Sequence, residues 1–223
     1  MKLFLLFAAF IAFSNADVEI TCIYGMKEFK EGPVYACQIN SDIQGLTYES
    51  RDVAIVHGTH LEGKSDTDVK AVWTENNYHL TYFLRKLNSR FLNLGTIQFV
   101  KTPLKNIAKE DLAGYRTKLV QFDVTNSSLE VIDGNLFEDN LNLAEINLGF
   151  NKIHHIDTNT FDNLTNLKSL TVGGNQCIVV QGYSSNDVAH VINQTKQQCA
   201  SNDNHMFSKS TSDESSVNSN DEN

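Results

Sequence analysis

The 223-residue chain carries 27 acidic against 18 basic side chains, a formal net charge of −9. With 41% hydrophobic and 20% charged residues it has the composition of a folded chain of one domain, or at most two small ones. The missing positive surplus argues against a generic phosphate-backbone binder, and two prolines and twelve glycines exclude collagen-like or proline-rich architecture.

Residues 1–16 open with Met1-Lys2, continue through an apolar stretch from Leu3 to Phe13, and end on Ser14-Asn15-Ala16. One positive charge, a short apolar run and small residues before a cut after Ala16 form the pattern of a secretory signal peptide. A membrane span needs about 20 apolar residues, so the run is too short for an anchor. No later stretch is long or apolar enough to span a bilayer. The polar C-terminal segment lacks the hydrophobic tail that a lipid-anchor signal requires. The expected product is secreted and extracellular, with no membrane anchor.

Cys22, Cys37, Cys177 and Cys199 form two close pairs far apart in the chain. Four cysteines allow three connectivities, of which the local one, Cys22 with Cys37 and Cys177 with Cys199, closes a short loop at each end. In an oxidising compartment each bridge would stabilise its end by about 3 kcal/mol. Zinc ligation competes, but the spacings of 15 and 22 residues contain no Cys-x-x-Cys element. Three glycosylation sequons, at Asn126, Asn163 and Asn193, fit the same route.

The stretch 17–68 reads as an N-terminal cap. It holds a hairpin around Cys22 and Cys37, turning near Glu31-Gly32-Pro33, and a strand from Val53 to Val56. It also holds Gly58-Thr59-His60-Leu61-Glu62-Gly63-Lys64.

From 69 to 176 the sequence repeats. Leu143, Ile146, Leu148, Asn151 and Ile153 fill every defined position of L-x-x-L-x-L-x-x-N-x-L. Twenty-four residues later stand Leu167, Leu170, Val172 and Asn175, and twenty-four earlier Leu119, Phe122, Val124, Ser127 and Leu129. A further 25 back come Leu94, Ile97, Phe99, Thr102 and Leu104, and another 25 back a looser copy with Val69, Val72, Thr74 and Asn77. The pattern is that of the leucine-rich repeat, in four to five copies. In each copy the apolar triad alternates, which predicts a short strand with one side turned inward. A single copy cannot bury that side, so the strands must stack in parallel, coil upon coil. Asn77, Thr102, Ser127, Asn151 and Asn175 form a column suited to bonding backbone where each strand turns. Leu87, Leu112, Phe137 and Phe161 form a second apolar column.

The open apolar ends of such a stack need caps. The C-terminal cap is expected over 177–199, with a helix from about Asn186 to Lys196 on which Val188, Val191, Ile192 and Thr195 share a face. Residues 200–223 shift to Ser, Asn, Asp and Glu, the composition of a disordered acidic tail.

On the repeats, the paired cysteines and the Gly58-x-His60-x-x-Gly63-Lys64 segment, the chain from Cys22 to Cys199 resembles the small secreted leucine-rich-repeat proteins of insects. The resemblance implies an α/β solenoid: a short right-handed coil with a parallel concave sheet and disulfide-bridged N- and C-terminal caps. It also implies a non-enzymatic extracellular protein-binding or recognition module of the kind used in innate immunity and receptor ectodomains. A structural extracellular-matrix or cuticle-associated protein is the alternative.

Nucleophile-elbow, zinc-protease, phosphate-loop and dinucleotide motifs do not occur, so no catalytic residue, metal or cofactor is expected. His57 and His60 could bracket a metal, whereas solvated or cap-packing histidines are the simpler reading, as they are for His154 and His155. Gly58, Gly63 and Lys64 would suit an anion nest; the competing reading is a tight turn that seats the cap. The candidate binding surface is the concave face, with Lys70, Trp73, Glu75, Gln98, Gln121, Asp123, Glu145, Asn147 and Phe150 between the inward apolar positions. The expected ligand is an extracellular protein or glycan, not nucleic acid. Trp73, the only tryptophan, points outward as an interface aromatic or as a ring leaning on the cap. A glycan on Asn126 would crowd the same face.

Overall fold

The computed structural model describes residues 18–30, 32–178 and 187–200, and the backbone of 184–185. The expected signal peptide and all of the acidic tail after residue 200 lie outside the described residues.

The chain begins with an antiparallel hairpin of β1 (Val18–Phe29) and β2 (Gly32–Gln44), in which Phe29 faces Gly32. The Cys22–Cys37 disulfide crosses it. Along β1 from Val18 to Tyr24, buried Val18, Ile20, Cys22 and Tyr24 alternate with the more exposed Glu19, Thr21 and Ile23, the period of two that a half-buried strand requires. β3 (Val53–His57) runs parallel to the start of β1. A 3-10 turn at Asp66–Asp68 then leads into β4 (Ala71–Glu75), the first strand of the repeats.

Successive coils contribute α1 (Leu87–Arg90), β5 (Thr96–Val100), α2 (Lys109–Leu112) and β6 (Gln121–Thr125). They continue with β7 (Val131–Ile132), β8 (Glu145–Asn147), β9 (His155–Ile156) and β10 (Ser169–Thr171). β11 (Ser184–Ser185) and α3 (Val188–Cys199) follow. Nine strands form one sheet in the order β11-β10-β8-β6-β5-β4-β2-β1-β3, while β7 and β9 pair separately. Every pairing from β2 through β4, β5, β6 and β8 to β10 is parallel, as the repeat requires. Val72, Ile97, Phe122, Ile146 and Leu170 stand in register across five strands and are buried. Each coil thus covers the apolar face of the one before it. The second apolar column, Leu87, Leu112, Phe137 and Phe161, is buried too, and Phe83, Phe122, Phe137 and Phe161 form a chain of ring contacts 5.6–6.2 Å apart between centroids.

The polar column is buried and bonded. Asn151 Oδ1 accepts from the N–H groups of Ser127 and Leu129 at 3.1 and 3.3 Å, and its Nδ2 donates to the carbonyls of Val124 and Leu148. Asn175 repeats the arrangement one coil on, accepting from Asn151 and Ile153, each at 3.1 Å. Ser127 Oγ plays this part for Thr102, accepting from its N–H at 3.1 Å. These side chains satisfy backbone groups that would otherwise be buried without partners, each at a cost of about 1–3 kcal/mol.

Two further columns emerge only in three dimensions. Asn76, Lys101, Asn126, Phe150 and Gly174, the residues that leave each strand, all have φ between +51° and +74°. Asn93, Lys118, Asn142 and Asn166, one before each first leucine position, reach back to the carbonyls of Thr67, Leu92, Thr117 and Leu141 in the preceding coil.

At the C-terminal end the helix occupies Val188–Cys199, starting where the Asp187 side chain accepts from the His190 N–H at 3.1 Å. Val191 and Thr195 are buried on its inner face, and the Cys177–Cys199 disulfide ties it to the last coil. At the other end Arg51 Nη1 meets the fully buried carboxylate of Asp111 at 3.0 Å, bracing the loop after β2 against the second coil. No helix among the described residues is long and apolar enough to cross a membrane.

A candidate binding cleft on the concave face

The parallel register sets the outward residues of the strands in rows. One row is Trp73, Gln98, Asp123, Asn147 and Thr171; the next is Thr96, Gln121, Glu145 and Ser169. Strands lie about 4.8 Å apart, so neighbours in a row touch. Gln98 Nε2 donates to Asp123 Oδ2 at 3.0 Å. Asn147 Oδ1 accepts from the Gly149 N–H at 3.1 Å.

The face is not open along its length. β2 pairs with β4 only over Ala36–Gln38, so the far end of the hairpin is free to bend across the sheet. Lys27 Nζ lies 4.1 Å from the centre of the Trp73 ring, and Lys30 Nζ is 2.7 Å from Glu145 Oε1. The hairpin therefore arches from β4 to β8. Trp73 is half-buried beneath it, so the ring leans on the cap while keeping part of its surface exposed.

Asp123 corrects the expectation of an exposed concave residue, because it is only 8% accessible. Burial pushes its carboxyl above the ordinary range, bonds from Gln98 and the Thr125 hydroxyl pull it back, and the nearby Glu145 charge raises it again. Its Oδ1 has no hydrogen-bond partner among the described residues.

The other expected site residues spread along the rims. Lys70 is exposed just before β4. Glu75 is exposed at the opposite rim and accepts from Lys101 Nζ at 3.1 Å. Phe150 is 52% exposed beyond the end of β8. Gln98, Gln121, Glu145 and Asn147 are half-buried on the face itself. Asn126 is exposed where β6 ends, Asn163 in the return segment of its coil, and Asn193 on α3.

Two chambers lie under the hairpin. One of about 190 Å³ is lined by Lys30, Gln121, Asp123, Glu145, Asn147 and Thr171 among others. The larger, about 410 Å³, lies between Phe29 and Val34 of the hairpin and the entry side of the strands. The sequence reading missed this roof. Its one signal is that two strands of 12 and 13 residues far outrun the five-residue ladder beside them.

Of the cap histidines, the exposed His57 meets Glu19 at 2.9 Å, whereas His60 is packed into the cap. His60 stacks on Tyr24 at 3.8 Å between ring centres, bonds the Tyr35 hydroxyl through Nδ1 at 3.1 Å, and meets Asp66 through Nε2 at 3.0 Å. Gly58 has φ +133°, and a β-carbon there would lie 2.3 Å from the Cys22 carbonyl oxygen. Lys64 pairs with Asp68 at 3.2 Å. The Gly58–Lys64 segment therefore seats the cap.

Residues 117–176 match the family model described as Leucine rich repeat, which spans the most regular coils. No curated protein matches the chain. Among solved structures it is similar to a chain in a structure described as the Toll–Spatzle complex, "a molecular hub in Drosophila development and innate immunity". The identity is 16% and the TM-score 0.39, over 66% of this chain and 26% of that one. This chain spans about a quarter of that chain's length.

Proposed function

We propose that this chain, whose residues 117–176 match the Leucine rich repeat model, is a secreted, extracellular, non-enzymatic module that binds a protein partner along the concave face and its rims. The observation that carries this reading is the row of polar and aromatic side chains held at strand spacing on a rigid sheet, from Trp73 to Thr171. The hairpin roofs the middle of that row and Asp123 is buried, so a partner meets the uncovered members of the row and the rim beside them. Glu75 and Phe150 extend it onto the rim beyond the hairpin, and exposed aromatics of this kind are frequent interface anchors. Two disulfides and the signal-peptide pattern support an oxidising, extracellular setting. Innate-immune or receptor-like recognition is the use such a surface suits.

The test is affinity capture from extracellular fluid with the wild-type chain and with Phe150→Ala and Glu75→Lys. Saturable retention of one soluble protein, weakened at least about fivefold by a rim variant, is the expected result. Retention that disappears when the fluid is deglycosylated would transfer the reading to a glycan ligand. Retention indifferent to the rim variants, or a chain recovered only in insoluble matrix, overturns it.

A further inference from the structure

The larger chamber beneath the hairpin has a chemistry of its own. Its floor is the entry position of three adjacent strands, Gly95, Val120 and Ala144, small or apolar in every case. Val120 is 45% exposed, an apolar side chain left uncovered inside a roofed space. Phe29 and Val34 supply an apolar roof.

The same repeat position holds Lys70 one coil before Gly95 and Lys168 one coil after Ala144. At about 4.8 Å per strand, the two lysines bracket a trough some 19 Å long with an apolar middle. Lys118 lines it as well, its ammonium anchored on the Leu92 carbonyl. Among the described residues of the lining Glu145 is the one carboxylate, and it is paired with Lys30. A chain of net charge −9 thus keeps a positive chamber. Its volume of about 410 Å³ falls within the range of small-molecule sites, which are apolar with a few placed polar groups.

We propose that this chamber binds a small amphipathic anion, an apolar body carrying a carboxylate or sulfonate, with the body between Phe29 and Val120 and the head at Lys70 or Lys168. Long lysine stems suit both parts, since they lie along apolar surface and keep the ammonium at the mouth. The inference does not rest on the protein-partner reading, because the rim residues that serve that reading lie at the other end of the strands.

The experiment titrates 8-anilinonaphthalene-1-sulfonate into the folded full-length protein and follows its fluorescence. One saturable site is expected, emptied by decanoate and not by decyltrimethylammonium. The double variant Lys70→Gln/Lys168→Gln should bind the dye on the order of tenfold more weakly at an unchanged melting temperature. Ala144→Phe, which fills the trough, should abolish binding. If Ala144→Phe does not fold, the two exposed lysines decide the matter alone. Absence of saturable binding, equal displacement by the cationic amphiphile, or wild-type affinity in the lysine variant overturns the proposal.

Discussion

The Phe150 ring lies so close to Gly174 that a β-carbon at position 174 would sit 2.6 Å from Phe150 Cδ1. The two residues hold the same place in successive coils, both with positive φ, +56° and +74°. Gly174→Ala therefore meets a steric clash and a left-handed backbone together, and should cost about 1–3 kcal/mol in urea unfolding. Phe150→Asn should be neutral or raise the melting temperature, since asparagine tolerates that backbone better than a bulky ring. A loss of stability from Phe150→Asn as large as that from Gly174→Ala would show that the ring, not the backbone, governs this corner.

Asn151 serves two donors and two carbonyls at the centre of the polar column. Asn151→Ala leaves the Ser127 and Leu129 N–H groups buried without acceptors and should cost about 2–4 kcal/mol by equilibrium denaturation. A cost below about 0.5 kcal/mol would mean that solvent enters the column.

Leu148 is fully buried on the inner face of the coil that carries Asn151. Leu148→Ala should lose about 2–5 kcal/mol through lost transfer energy and a cavity. In a short stack the loss should appear as one cooperative drop in melting temperature rather than local fraying. An unchanged melting temperature would contradict the register.

Trp73 and Lys27 hold the hairpin down over the sheet. Trp73→Ala should speed amide exchange at the end of β1 and the start of β2 while lowering the melting temperature less than Leu148→Ala does. Lys30→Ala, which removes a pair whose lysine is 61% exposed, should change global stability by less than about 1 kcal/mol. Exchange at the hairpin end that is indifferent to Trp73→Ala would mean that the roof is held elsewhere.

Burial pushes the Asp123 carboxyl above the ordinary carboxylate range near about 4. Between those two values the native chain keeps a proton that the unfolded chain has released. The contribution of Asp123 to stability therefore falls as pH rises through that window and stays constant above it. Asp123→Asn cannot ionise, so its stability relative to the wild type should improve across the window, as read from urea unfolding at a series of pH values. A relative stability that moves in the wild type's favour as pH rises would reverse the sign.

Much of this protein is local in origin, and to that extent the chain can be read directly. Ile146, Leu148 and Asn151 recur as a unit every 24 to 25 residues, and each coil needs only its neighbours, so spacing alone identifies the strand, its inner face and the asparagine that closes the turn. The pairing of Cys22 with Cys37 and of Cys177 with Cys199 was legible for the same reason. The cleft was not. Alternation tells which side of β6 faces outward, and Asp123 does lie on that side, yet nothing in the alternation says whether the side is covered. That depends on how far the hairpin bends, a matter settled by contacts such as Lys30 with Glu145, 115 residues apart. The reach of Asn142 to the Thr117 carbonyl likewise depends on the stagger between coils. Periodicity determined the solenoid because its interactions repeat between neighbours; the tertiary structure alone decided the roof, the two chambers and the burial of Asp123, because those arise from non-repeating contacts between the cap and the stack, Lys27 with Trp73 and Lys30 with Glu145.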